Sequence, residues 1–213
     1  MPAREDPADV WIGPGDSIAE VPEGARVGTA SVRRRSQLLA LRPDLEVVEL
    51  RGNVDTRLAK LAAGEVDGIV LAAAGLRRLG RDDEVGFRFG LRALTPAPGQ
   101  GSLALEALAG AGDAAAAAAG VTDREALVEL TAERSVVAGI DASCDTPVGV
   151  CARHAGDALV IRGYVGLPDG SEHFYDEVEG DGEQPVALAE AMIERMREGG
   201  ALDLLERANG WAG

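Results

Sequence analysis

The sequence predicts an α/β fold in which a parallel-rich sheet with flanking helices is followed by a small C-terminal α+β unit. In the first 95 residues, short apolar runs alternate with stretches of helical periodicity, which is typical of βαβ units and a parallel sheet. In the last third, strand-like runs follow one another directly, and the turn Pro168-Asp169-Gly170 favours a hairpin. These two patterns indicate two structural units.

The elements of the first unit can be placed from apolar runs and breaker residues. In order, we predict a strand at 25–29, a helix at 32–41, a strand at 46–50, a helix at 53–61, a strand at 66–71 and a short helix to 79. Asn53 is a suitable N-cap for the second helix, and Gly64 stands where a glycine often ends one. The continuous apolar run at 66–71 is typical of a buried parallel strand.

The second half begins with a segment that excludes regular helix. Pro96-Ala97-Pro98-Gly99-Gln100-Gly101 predicts a crossing between two units, and the Ala/Gly-rich residues 108–120 predict a poor helix or a mobile connection. Thr122 and Glu125 have capping-box spacing and open a predicted helix to about residue 138. Strands at 147–152, 159–165 and 173–178 and a helix at 185–197 complete the prediction.

Arginine is concentrated in two short phrases, residues 29–35 and 50–57. From Arg26 to Arg57 there are seven arginines and four acids, a local net charge of +3 in a chain of −15. A guanidinium matches a carboxylate or phosphate with two parallel hydrogen bonds. Both phrases fall where predicted strands end and helices begin, the usual ligand edge of an α/β sheet. The sequence therefore predicts a pocket for a small polyanion.

Composition excludes several other classes of function. A pI of about 4.5 argues against nucleic acid or an anionic membrane as the main partner. Apolar runs are too short to span a bilayer, and the first residues do not form a signal peptide. Two cysteines and two histidines give neither a disulfide framework nor a zinc pattern, so we expect no metal and a cytoplasmic location.

Six phrases in a fixed order resemble one enzyme family. They are Val27-Gly28-Thr29-Ala30-Ser31-Val32-Arg33-Arg34, Leu50-Arg51-Gly52-Asn53-Val54-Asp55-Thr56-Arg57, Ala72-Ala73-Ala74-Gly75-Leu76-Arg77-Arg78-Leu79-Gly80, the crossing segment 96–101, Thr131-Ala132-Glu133-Arg134, and Cys144 followed by Thr146-Pro147-Val148-Gly149. Together they resemble hydroxymethylbilane synthase, also called porphobilinogen deaminase, from about Arg4 to the C-terminus.

The resemblance implies a fold similar to the two-domain periplasmic binding proteins, with a third domain that carries a dipyrromethane cofactor on a cysteine. It implies a transferase of porphyrin biosynthesis that polymerises porphobilinogen into a linear tetrapyrrole with release of ammonia, and a monomer. By motif, the carboxylates of cofactor and substrate would be bound by Arg33, Arg34, Arg51, Arg57 and Arg78. Thr29, Ser31 and Gly52 would add hydroxyl and backbone contacts, and Cys144 would hold the cofactor.

The sequence also departs from the family pattern. The family's catalytic aspartate stands in a His-Ser-x-Lys-Asp-x-Pro phrase, which this sequence does not contain, so no catalytic residue is predicted. We expect residues 1–6 to be the remnant of a missing first domain, 7–95 a second domain, 96–121 a crossover that returns to the first domain, and 122–213 the cofactor-attachment domain. Asp145 beside Cys144 disfavours the thiolate.

Alternative functions remain open at this point. The chain could be an inactive fragment, or a non-catalytic anion-binding module of the same fold, or it could act with a separate chain that supplies the first domain. Cys151 lies in an apolar alternation, and we interpret it as a buried structural residue. His154 and His173 have no catalytic context in the sequence.

Overall fold

The computed structural model describes residues 1–143 and 145–211, which form one five-stranded and one three-stranded sheet. The strands are β1 (Asp9–Ile12), β2 (Arg26–Gly28), β3 (Glu46–Val48), β4 (Gly68–Ala72), β5 (Phe87–Arg88), β6 (Val148–Ala155), β7 (Ala158–Gly166) and β8 (His173–Asp181). The helices are α1 (Val32–Leu41), α2 (Val54–Ala62), α3 (Ala73–Arg78), α4 (Gly112–Gly120), α5 (Arg124–Gly139), α6 (Pro185–Glu198) and α7 (Ala201–Asn209).

The larger sheet is mixed, with the order β3-β2-β4-β1-β5. Strand β2 pairs in parallel with β3 and β4, whereas β1 is antiparallel to β4 and β5. The predicted parallel-rich sheet is therefore correct only for three strands. Strand β1 was not predicted, because its four residues are all buried and show no alternation between Pro7 and Gly13.

Packing inside this sheet depends on Trp11 of β1. Its side chain is fully buried, and the ring covers Gly68 so closely that a Cβ atom there would lie 2.1 Å from it. Only glycine at position 68 leaves room for the indole. The apolar cluster on this side includes Val27, Leu38 and Val70.

Helices α1 and α2 begin as the sequence predicts. Ser31 has an extended backbone and its hydroxyl accepts from the Arg34 N–H, and Asn53 accepts from the Thr56 N–H at 2.9 Å. These caps satisfy N–H groups that have no partner within the helix. The two caps therefore fix where α1 and α2 begin, a few residues after the ends of β2 and β3.

The three-stranded sheet is antiparallel in the order β6-β7-β8, and helices α5, α6 and α7 pack against it. The predicted helix start is shifted by one residue, because Asp123 and not Thr122 caps α5 through the Ala126 N–H. Helix α7 was not predicted. The Gly199-Gly200 pair suggests an end, but Gly200 adopts φ 78° and the chain enters another helix.

The first residues and the crossing segment link the two sheets. The Glu5 N–H donates to the Gly101 carbonyl at 3.2 Å, and the Val150 N–H donates to the Pro96 carbonyl at 3.0 Å. The guanidinium of Arg4 is buried and lies 2.7 Å from the Glu133 carboxylate of α5. Residues 1–6 therefore pack on the C-terminal unit as well as on the crossing segment.

The connection between the two units contrasts with these packed parts. Residues 102–111 form neither helix nor strand, and α4 contains no buried residue. Leu103, Leu105 and Leu108 are exposed, Leu108 to 85%.

Across residues 1–143 and 145–211, no helix has the length and apolar character needed to cross a membrane.

Candidate anion-binding site

The carboxyl ends of the three parallel strands meet at one edge of the larger sheet. Because β2 is parallel to both β3 and β4, the loops that follow Gly28, Val48 and Ala72 lie at that edge. The two arginine phrases, residues 29–35 and 50–57, cover the end of these loops and the first turns of α1 and α2. This edge also receives the N-termini of α1, α2 and α3, whose N–H groups favour anions.

Thr29 and Ser31 shape the loop before α1. The Ser31 N–H donates to the Thr29 hydroxyl at 3.2 Å, and the Ser31 hydroxyl caps the helix through the Arg34 N–H at 3.4 Å. Thr29 is buried. Both hydroxyls therefore stabilise this loop and the start of α1 as acceptors.

Arg33 is buried at the wall of a cavity of about 380 Å³. Its Nη1 donates to the Thr95 carbonyl at 2.7 Å, and its Nη2 donates to the Gln100 side-chain oxygen at 3.4 Å. Its Nε has no hydrogen-bond partner among the described residues. Arg33 thus retains one buried donor edge that its own surroundings leave unused.

Arg34 and Arg33 share a buried carboxylate, that of Asp9. The Nε and Nη2 of Arg34 donate to Oδ1 of Asp9 at 3.0 and 2.7 Å, and Nη1 of Arg33 lies 2.8 Å from Oδ2. Burial alone would raise the pKa of Asp9, but the two guanidinium groups outweigh it and hold that pKa below its ordinary value. Asp9 is therefore ionised at neutral pH.

The second arginine phrase places Arg57 near this cluster and Arg51 on the surface. The pKa of Arg57 is lowered, first by burial and then by the positive charge of Arg34. Its Nε donates to the carbonyl of Gly52 at 2.9 Å, where φ is 126°. Arg51 has an 83% exposed side chain that lies 2.5 Å from Glu49.

Arg78 lies at the end of α3 and contacts the crossing segment. Its Nη2 donates to the Gly101 carbonyl at 2.7 Å. The structure therefore groups Arg33, Arg34 and Arg57, with Arg51 on the surface and Arg78 at the crossing. Thr29, Ser31 and Gly52 belong to the loops that hold this group.

The cavity beside Arg33 lies between the crossing segment and the C-terminal unit. Its lining residues come from α1, the crossing, α5 and the loop before β6: Ser31, Arg33, Ala97, Pro98, Val137, Ala142, Ser143, Thr146 and Val148. Cys144, the predicted attachment residue, lies outside the described residues. Ser143 and Thr146, which the structure describes, are at the cavity wall.

Two residues of the site were missed by sequence reasoning. Asp9 stands in an unpredicted strand, and Gln100 was interpreted only as part of the crossing. The Gln100 side-chain nitrogen donates to the Asp9 carboxylate at 2.9 Å and to the Pro7 carbonyl at 2.5 Å. One available signal was the acid itself, because a lone carboxylate beside an apolar run needs a partner when buried.

The remaining titratable candidates do not belong to this cavity. Cys151 is fully buried in β6, and burial together with the Glu133 charge raises its pKa to about 12. This agrees with its interpretation as a structural residue. His154 contacts Glu129 at 3.3 Å, and the described part of the chain contains no cluster of metal-ligating side chains.

Comparison with known proteins identifies similar sequences over most of the chain. Residues 1–116 match a family model described as "Porphobilinogen deaminase, dipyromethane cofactor binding domain". Residues 127–198 match a second model described as "Porphobilinogen deaminase, C-terminal domain". The first match contains all strands of the larger sheet, and the second contains all strands of the smaller one.

Individual relatives show the same similarity. A porphobilinogen deaminase of Roseiflexus sp. is 44% identical over 205 residues, which cover 96% of this chain and 67% of the relative. One of Campylobacter concisus is 41% identical, with 97% and 67% covered, and one of Corynebacterium glutamicum is 39% identical, with 96% and 69% covered. The chain spans about two thirds of the length of these relatives.

Proposed function

Since the chain belongs to the porphobilinogen deaminase family of tetrapyrrole-synthesising transferases, we propose that the cavity beside Arg33 binds the carboxylates of its dipyrromethane cofactor and of porphobilinogen. The family model that matches residues 1–116 describes a dipyrromethane cofactor binding domain. When bound, this cofactor supplies pyrrole rings that carry acetate and propionate groups. The arginine cluster supplies the cations that such groups need.

The single observation that carries the proposal is the unused Nε–H of Arg33. A buried donor without a partner costs free energy, about 1–3 kcal/mol. Here it belongs to a residue that is only 4% exposed and lines a cavity of about 380 Å³. A ligand carboxylate in that cavity would satisfy the donor, so the residues present fit the cofactor.

The other site residues receive different roles from their positions. Arg57 is half-buried near Arg34 and would receive a second carboxylate, whereas exposed Arg51 would contact ligand groups that reach the surface. Arg78 would bind close to the crossing segment. The hydroxyls of Thr29 and Ser31 and the backbone of Gly52 would supply neutral contacts.

Cofactor attachment is assigned to Cys144 by the family motif. The described neighbours Ser143 and Thr146 line the cavity, which supports a thioether at this loop. We assign residues 7–95 to a domain that resembles the periplasmic binding proteins, and residues 122–213 to the domain that carries the cofactor. Residues 96–121 would be the crossover between this part and a first domain.

Calorimetry with a synthetic dipyrromethane tetracarboxylate tests the binding proposal. Replacing Arg33 by Gln should weaken binding by about 1.5–3 kcal/mol, the range for hydrogen bonds to charged groups. Arg124→Gln is the control, because Arg124 is exposed and pairs with Glu183 away from the cavity. Equal losses in the two variants would mean that only net charge matters and that the assignment of the site is wrong.

Catalytic turnover is a separate question from binding. Because the 213 residues contain no His-Ser-x-Lys-Asp-x-Pro phrase, we infer that this chain by itself binds the ligand without turning over porphobilinogen. Loss of a general acid or base typically lowers a rate by about 10²–10⁴-fold. Steady release of ammonia from porphobilinogen by the purified chain would contradict this inference, and the inactive-fragment alternative with it.

A further inference from the structure

We propose that Asp9 is a positioning residue that fixes the guanidinium planes of Arg33 and Arg34, so that the Nε edge of Arg33 faces the cavity. The proposal rests on the proposed function, since it explains how the binding arginine is held. The observation behind it is that the single carboxylate of Asp9 pairs with both guanidinium groups. No ligand contact is assigned to Asp9 itself.

The geometry of Asp9 supports this role. Its Oδ1 accepts both Nε and Nη2 of Arg34, which is a fork-like contact that fixes the plane of a guanidinium. Its Oδ2 lies 2.8 Å from Nη1 of Arg33. The carboxylate of Asp9 is itself fully buried on β1, so rotation would cost Arg34 its two hydrogen bonds and Arg33 its ion pair, which lacks hydrogen-bond geometry.

Electrostatics gives the second argument. Arg33 and Arg34 are adjacent in sequence, and both are at least nine-tenths buried, so their charges repel strongly without a counter-ion. Asp9 neutralises one of the two charges. Together with Arg57, the cluster keeps a net charge of about +2, which matches the two carboxylates that one pyrrole ring carries.

Gln100 supports the same arrangement from the crossing segment. Its side-chain nitrogen donates to Oδ1 of Asp9 at 2.9 Å, and its side-chain oxygen accepts from Nη2 of Arg33 at 3.4 Å. The amide thus connects the carboxylate and the guanidinium from the outside. Thr95, Asp9 and Gln100 contact the Nη atoms of Arg33, and its Nε has no hydrogen-bond partner among the described residues.

The sign of the effect of Asp9→Asn on binding tests the proposal. This variant raises the net charge of the site by one, so simple attraction would make a polyanion bind more tightly. Positioning predicts the opposite, a loss of affinity for the dipyrromethane tetracarboxylate of about tenfold or more. Glu129→Gln is the matched control, because Glu129 is also a buried, arginine-paired carboxylate but does not line the cavity.

A measurement without ligand separates this proposal from the proposed function. In ¹⁵N NMR spectra of the parent, the Nε–H signals of Arg33 and Arg34 should be resolved, and that of Arg34, which is hydrogen-bonded to Asp9, should exchange slowly. They should broaden or shift in Asp9→Asn and persist in Glu129→Gln. If the parent shows these signals but does not bind the tetracarboxylate, the proposed function fails while the positioning of the arginines stands.

Two outcomes would overturn the role of Asp9. One is a folded Asp9→Asn variant that binds as tightly as the parent, or more tightly, with unchanged Nε–H signals. If Asp9→Asn does not fold, Asp9→Glu decides, because it keeps the charge and displaces the oxygens by one methylene. Parent-like affinity and signals in a folded Asp9→Glu would show that charge alone matters; loss of both supports positioning.

Discussion

The hydroxyl oxygens of Ser36 and Tyr164 lie 2.7 Å apart, and this contact joins α1 of the larger sheet to β7 of the smaller one. The Ser36 hydroxyl also donates to the Leu167 carbonyl at 2.7 Å. Because serine has one hydroxyl hydrogen, Tyr164 is the donor in the pair. Both side chains are buried, so the two units share a polar contact away from water.

Removing either hydroxyl should destabilise the chain by different amounts. Tyr164→Phe leaves the Ser36–Leu167 hydrogen bond intact and should cost about 0.5–1.5 kcal/mol of unfolding free energy. Ser36→Ala leaves the buried Tyr164 hydroxyl without its acceptor and removes one of the two hydrogen bonds to the Leu167 carbonyl, the other coming from the Gly170 N–H, and should cost about 1–3 kcal/mol. Urea unfolding of the two variants and of the double variant measures both values and their coupling. An equal cost for the two single variants would argue against this assignment of donor and acceptor.

Tyr164 should also make stability depend on alkaline pH. Burial raises the pKa of Tyr164 to about 12 from its ordinary value of 10.0. Above pH 10 the unfolded chain loses this proton while the folded chain keeps it, so the stability contributed at lower pH is lost between about pH 10 and 12. The difference in unfolding free energy between the parent and Tyr164→Phe should therefore change with pH in that window. A difference that stays constant from pH 9 to 12 would contradict the raised pKa.

Local features of this fold could be predicted from the sequence. A helix cap such as Asn53 acts on its immediate neighbours, and the predicted starts of α1 and α2 were correct within one residue. Strand β1 depends on pairing with β4, which is distant in sequence, and its four buried residues lack the alternation that is typical of a half-buried strand. Helix α7 was missed because Gly200 joins two helices instead of ending the fold.

In the site, too, local features could be predicted and long-range contacts could not. The arginines were predicted because their type and position at strand ends are visible in the sequence. Their partners were not, because Asp9 and Gln100 reach Arg33 and Arg34 only through the tertiary fold. For this reason the sequence could not distinguish buried Arg34, held by Asp9, from exposed Arg51, beside Glu49.

Arg34 and Arg51 should consequently differ in their effect on stability. Arg34→Gln removes the fork on the buried Asp9 carboxylate and should cost about 3 kcal/mol of unfolding free energy or more. Arg51→Gln breaks only an exposed ion pair and should change stability by less than about 1 kcal/mol. Both should weaken binding of a dipyrromethane tetracarboxylate by about 1.5–3 kcal/mol. Thermal unfolding with and without ligand separates the two effects, and an Arg51→Gln variant as unstable as Arg34→Gln would contradict the exposure of Arg51.

Cys151 should not react with alkylating reagents in the folded chain. With a pKa of about 12 and full burial, only about one thiol in ten thousand is ionised at pH 8, and reagent cannot reach it. In a Cys144→Ser variant, iodoacetamide should give no adduct under native conditions and one adduct in denaturant, as read by intact mass. The matched Cys151→Ser variant reports on Cys144 alone. Rapid native alkylation of Cys144→Ser would show that β6 opens or that Cys151 is accessible.

The segment from 102 to 119 should exchange its amide hydrogens faster than the core of the larger sheet. Residues 103–108 form neither helix nor strand, and α4 buries none of its residues, whereas β4 is paired on both sides by β2 and β1. Exchange through local opening depends on such packing, so amides of 112–120 should be protected far less than those of Ile69 and Val70. Hydrogen exchange followed by mass spectrometry of peptides from the monomer measures the difference. Equal protection of the two regions would contradict the exposure of α4 and would mean that this helix is packed against another surface in solution.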